Sequence, residues 1–67
     1  MEILLNNQSK EIQEQCSLQQ MLNDTLGEKQ KGIAVAVNNN VVPKASWHHH
    51  ILTSKDSVLV IKATQGG

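Results

Sequence analysis

Three places in the sequence carry groups able to do chemistry: the single cysteine Cys16, the run His48-His49-His50, and the terminal Thr64-Gln65-Gly66-Gly67 with its carboxylate. A cysteine attacks electrophiles or binds metals as the thiolate, and a position at a helix N-terminus favours that form. The sequence places no base beside Cys16, however, and a free cysteine commonly behaves as a small buried hydrophobe, so Cys16 reads as core filler. Adjacent histidines cannot all aim at one ion from a regular backbone, because metal-binding pairs are spaced to share a face. With no clustered cysteine or carboxylate to join it, the run reads as a partly exposed loop or single helical turn, one imidazole covering the core edge. No metal site is expected.

The tail is different. Glycine loses more conformational freedom on ordering than any other residue, so Gly66-Gly67 is a poor way to dock a terminus and a good way to leave one mobile. Without side chains, the pair can thread a narrow channel and bring the Gly67 carboxylate against a partner's reactive groups. A carboxylate is ionised at neutral pH, and it is a poor electrophile until a leaving group is attached. The chain has no glycine-rich phosphate loop of its own, so the activating machinery must be another protein. Gly67 is the candidate reactive site, and Gly66, Gln65 and Thr64 are the candidate channel contacts.

Composition narrows the function further. A chain of 67 residues is one domain at most, and a domain this small buries only about 60% of the surface its unfolded chain exposes. Catalytic clefts need larger scaffolds, so no enzyme acting alone and no cofactor of its own are expected. The formal net charge is zero: Lys10, Lys29, Lys31, Lys44, Lys55 and Lys62 are scattered among six acids, and Trp47 is the one aromatic. Nucleic-acid binding calls for a basic stripe and stacking platforms, so that class is set aside. No apolar stretch approaches bilayer length and no leader-like start is visible, so no membrane role is expected. A lone cysteine in a domain that must hold by packing alone fits a reducing, cytoplasmic setting.

The elements that position the tail follow from the apolar periods. Met1 to Leu5 is a strand, turned at Asn6-Asn7 into a second, half-polar strand over Lys10 to Gln15. At Ser17 the period changes. Ser17 and Gln20 form a capping box, Leu18, Met21, Leu22 and Leu26 fall on one helical stripe, and Gly27 supplies the stop. Ile33 to Val37 is a strand apolar on both faces, turned by Asn38-Asn39-Asn40 into Val41-Val42, where Pro43 ends the pairing. Trp47 plugs the core beneath the long connection, and Val58 to Ile61 is the last strand, again apolar on both faces. The third and last strands therefore belong in the middle of a sheet with the helix across one face. This α+β order is the β-grasp (ubiquitin-like) pattern: a mixed sheet of four to five strands over residues 1–63, followed by a flexible tail at 64–67.

Ile3-Leu4-Leu5-Asn6, Ser17-Leu18 with Leu22, Ala34 to Asn38, Val41-Val42-Pro43-Lys44, Trp47, Asp56 with Val58, and Gly66-Gly67 together resemble the ThiS family, the ubiquitin-like sulfur carriers of thiamine biosynthesis. The resemblance spans essentially the whole chain. It implies that the Gly67 carboxylate is adenylated with ATP by an E1-like adenylyltransferase, that a sulfur-donating protein supplies the sulfur of a thiocarboxylate, and that thiazole synthase receives it. Lys55 stands where the family commonly has a glycine, which bears on the tightness of that turn and not on the chemistry. The nearest rival is a molybdopterin-type sulfur carrier, which shares the fold and the Gly-Gly end. A rival of another class is a ubiquitin-like interaction module or modifier without sulfur transfer.

Overall fold

The structure is a computed structural model that describes residues 1–62. Strand β1 (Glu2–Leu5) turns into β2 (Gln8–Glu11), helix α1 (Leu18–Leu26) follows, and β3 (Ile33–Val37), β4 (Asn40–Val41), a 3₁₀ turn at Lys44–Ser46 and β5 (Ser57–Lys62) complete the order. The five strands form one mixed sheet in the order β2-β1-β5-β3-β4. Only β1 and β5 run parallel; the other neighbours are antiparallel. This is the β-grasp arrangement, with β5 at the centre and β3 beside it.

Both hairpins rest on asparagine. Asn6 and Asn7 have φ of 50° and 68°, and Asn38 and Asn39 have 52° and 71°. Positive φ at both central residues is the geometry whose twist matches paired strands, and asparagine tolerates it. The tight first turn corrects the expected start of β2. Pairing resumes at once, with Leu5 opposite Gln8, so the strand covers Gln8–Glu11 and not Lys10 to Gln15; Gln15 itself turns the chain at φ 60°. The second turn likewise moves β4 to Asn40–Val41, while Val42 still donates its N–H to Val35 O at 2.8 Å.

Helix α1 begins and ends as its residues dictate. Ser17 Oγ accepts from Gln20 N–H at 3.1 Å, and Gln20 Oε1 accepts from Ser17 N–H at 3.1 Å. The next unpaired donors find carbonyls of the long connection: Leu18 N–H reaches His50 O at 2.8 Å and Gln19 N–H reaches Trp47 O at 3.1 Å. All the early donors of the helix are therefore satisfied, which fixes the connection against the helix start. Gly27 stops the helix at φ 60° and ψ −119°, a conformation reserved for glycine.

The core lies between α1 and the inner sheet face. Ile3, Leu18, Leu22, Val35, Trp47 and Val58 are at most 1% exposed. Trp47 is the core plug that the sequence implies, and its Nε1–H donates to Val42 O at 2.9 Å, so its one polar atom is paired. Leu52 is a core member that periodicity misses, because it sits alone in an irregular segment tied down by Leu52 N–H to Cys16 O at 2.9 Å.

Candidate functional site

Alternation along β5 separates two apolar rows. Val58 faces the core, whereas Leu59 and Ile61 are 44% and 51% exposed on the opposite face. Register extends that outer row across the sheet: Leu59 lies opposite Ala36, Ile61 opposite Ala34, and Val41 opposite Ala36 on the other side. Leu4 on β1 belongs to the same open face. The small Ala34 and Ala36 keep the centre low, so the result is a flat apolar surface with no element of the described chain over it. Exposed contiguous apolar surface marks an interaction site more often than it marks a folding accident.

The same central strand delivers the tail. Lys62 ends β5, and the candidate site residues Thr64, Gln65, Gly66 and Gly67 follow within a few positions, outside the described residues. The structure thus places the apolar row and the root of the tail on one strand. Three lysines also lie on the two segments that meet there, a juxtaposition that reading along the chain missed. Lys62 pairs with Ile33, Lys31 stands two residues before Ile33, and Lys29 lies in the same loop. The signal was in the element order, since a β-grasp sheet sets the start of the third strand beside the end of the last.

The other candidates take structural roles. Burial raises the Cys16 thiol pKa, the Asp24 carboxylate raises it further, and Sγ–H donates to Ser17 O at 3.4 Å. The helix N-terminus does not overcome these effects, so Cys16 is a buried, protonated hydrophobe, as the sequence suggested. A surface cleft of about 440 Å³ runs between β2 and α1 past Lys10, Ile12, Cys16, Gln20, Met21 and Asp24. No nucleophile paired with a base stands in it. His48 and His49 are exposed with ring centroids 3.9 Å apart, and His50 is half-buried. Among the described residues no cluster of three or more metal-ligating side chains forms. The backbone of this run is what the fold uses, capping α1.

Asp56 and Lys55 fix where β5 begins. Burial alone would raise the Asp56 pKa, but hydrogen bonds from Thr53 N–H at 2.8 Å, Asn38 Nδ2 at 3.0 Å and Thr53 Oγ1 at 2.9 Å, with the nearby charge of His50, outweigh it and hold the carboxyl below its ordinary value. Asn38 also accepts from Ser57 N–H through Oδ1 at 2.9 Å. The turn before Asp56 is tight despite its lysine: Lys55 adopts φ 70° and donates its N–H to Glu2 O at 2.8 Å. A non-glycine residue in that conformation costs about 1–2 kcal/mol, and here the surrounding hydrogen bonds hold it.

A one-helix domain with a five-stranded mixed sheet, whose central strand carries an open apolar row and is followed in the sequence by Gly66-Gly67, belongs to the ubiquitin-like β-grasp class. The comparisons with known proteins give the family. The ThiS family model matches residues 3–67, and the chain belongs to that family. The sulfur carrier protein ThiS of Escherichia coli (strain K12) is 31% identical over 67 residues, covering all of both chains. A crystal structure of the thiamine biosynthesis protein ThiS from Geobacter metallireducens superposes with a TM-score of 0.87 over the whole of both chains at 16% identity, a likeness of fold. No helix among the described residues is long and apolar enough to cross a membrane.

Proposed function

We propose that the chain is a sulfur carrier whose working group is the Gly67 carboxylate, serving thiazole formation in thiamine biosynthesis. The carboxylate attacks the α-phosphate of ATP within an E1-like adenylyltransferase and expels pyrophosphate. The resulting acyl-adenylate is a mixed anhydride with AMP as a good leaving group. Sulfur from a donor protein then replaces AMP, and the thiocarboxylate, a soft nucleophile, passes its sulfur to thiazole synthase without releasing free sulfide. The chain acts as a co-substrate of these enzymes, with Gly66, Gln65 and Thr64 lying in the partner's channel. One observation carries the reading: in a member of this family, the open apolar row of Leu59 and Ile61 lies on the strand that leads into Gly66-Gly67. That row is the docking surface for the adenylating partner.

The reading makes the position of the carboxylate decisive. From Thr64 to Gly67 the extended tail reaches about 13 Å, and one residue added beyond Gly67 shifts the carboxylate by about 3.5 Å. Reacting atoms must sit about 3–3.5 Å apart and aligned, so the shift equals the whole attack distance. A variant carrying one extra alanine after Gly67 should melt like the parent and still bind the adenylating enzyme, yet yield no adenylate or thiocarboxylate by intact mass. Parental yield from that variant, without trimming back to Gly67, would refute the mechanism.

A further inference from the structure

Lys29, Lys31 and Lys62 account for three of the six lysines of the chain, and they lie on two segments, the loop between α1 and β3 and the end of β5, that the β3–β5 register brings side by side. Lys62 is registered against Ile33. Lys31 precedes Ile33 across Gly32, whose φ of 70° turns the loop into β3. Lys29 sits in the first turn of that loop, its N–H donating to Leu26 O at 3.0 Å. All three are exposed, and among the described residues no ion pair engages them. The acids nearest in the chain are Glu28, in the same loop, and Asp24, one helical turn back on α1. The root of the tail is therefore net positive in a chain that is neutral overall.

We propose that these lysines form a cationic collar that seats on an acidic rim around the mouth of the channel that receives the tail. The inference rests on the carrier reading for the identity of that partner, the adenylating enzyme. Its physical basis is a pattern of two charges. The tail tip is an anionic carboxylate, and the collar lies five residues behind it, about 16 Å when the tail is extended. Screening acts over about 8 Å at physiological ionic strength, so a partner meets the two charges separately and does not average them. A channel that binds a carboxylate and nucleotide phosphates is cationic inside and would repel the collar. An acidic rim at the mouth attracts it, which orients the domain tip-first and limits how deep it enters. Rim charges of this kind act mainly on the association rate and its salt dependence.

Two measurements test the collar. First, deca-glutamate is titrated into the ¹⁵N-labelled full chain as an acidic probe that involves no partner. Amide shifts concentrated at residues 28–33 and at Lys62 support the collar; shifts spread evenly over all six lysines, or centred on Lys10 and Lys55, overturn it. Second, association with the adenylating enzyme is followed by stopped flow for a K29E/K31E/K62E variant and for a K10E/K55E control, both checked for an unchanged melting profile. The collar variant should associate about 10-fold or more slowly at low salt, with the difference disappearing near 1 M salt, while the control stays within about twofold of the parent. Equal slowing in both variants, or none in the first, overturns the proposal. If the parent chain itself forms no adenylate, the carrier reading fails, and the deca-glutamate titration still decides whether the collar binds acidic surface.

Discussion

On the helix side of the sheet Ile3 and Val58 are at most 1% exposed, whereas one residue further along the same strands Leu4 and Leu59 are 39% and 44% exposed, and Ile61, in the same row as Leu59, is 51% exposed. The two rows are equally apolar and equally well placed in strands. What differs is the cover: α1, Trp47 and Leu52 lie over one, and nothing in the described chain lies over the other. Fully burying a Leu or Ile is worth about 1.5–3 kcal/mol, so leaving several of them open in so small a domain forgoes stabilisation it has little capacity to replace. The inner row is thus explained by folding, and the outer row is the one that the proposed docking to an adenylating partner would cover.

The largest expected effect breaks the covered side. Replacing Trp47 with alanine removes the largest core side chain and leaves Val42 O without its donor. Such truncations cost about 3–5 kcal/mol, against a total stability of about 5–15 kcal/mol for a typical domain. Thermal denaturation followed by circular dichroism should show the midpoint falling by about 15–30 °C, since 1 kcal/mol moves a domain of this size by about 4–8 °C. A loss below about 1 kcal/mol would mean that Trp47 is not the plug described.

The open side should respond in the opposite way. A Leu59→Lys substitution places a charge on an already exposed position, so stability should change by no more than about 1 kcal/mol. Association with the adenylating enzyme should nonetheless weaken by about 10-fold or more, as expected when an apolar anchor at an interface becomes charged. Measured by calorimetric titration, unimpaired binding by a folded variant would place the docking surface elsewhere on the molecule.

Much of this contrast is legible in the residues. The capping box, the apolar stripe and Gly27 define α1 without ambiguity, because each is a local signal acting over one or two turns. The strands apolar on both faces announce that one helix cannot cover them both. Contacts that depend on distant pairing are harder to read. Leu52 has no periodic neighbour to mark it as core, and β2 begins earlier than its polar residues suggest because the Asn6-Asn7 turn sets the register. The lysine collar exists only once Ile33 is placed opposite Lys62. Of the candidate site, the sequence shows the Gly66-Gly67 end and the structure shows the surface leading to it.

The smallest effect sharpens the comparison, because the difference between covered and open rows depends on strand register, and a slip of one residue exchanges them. Asp56 and Asn38 fix that register where β5 starts, through the hydrogen bonds from Thr53 and Asn38 to the carboxylate and from Ser57 N–H to Asn38. The folded pKa of Asp56 is lowered. A depressed carboxyl pKa contributes stability that is fully present above the unfolded value, about 3.9, and is lost as pH falls through the folded value below it. An Asp56→Asn variant keeps the shape but loses the charge and faces at least one donor with its own amide, so it should be about 1–2 kcal/mol less stable near neutral pH. Urea denaturation of both proteins from pH 7 down to pH 2 should show the parent losing its advantage below about pH 4, with the curves converging once its carboxyl is protonated. Every other carboxylate titrates in both proteins, so the difference isolates Asp56. A gap that stays constant across the whole range would mean that Asp56 acts through shape alone, and that the register is held by the Asn38 and Ser57 backbone pairing without help from its charge.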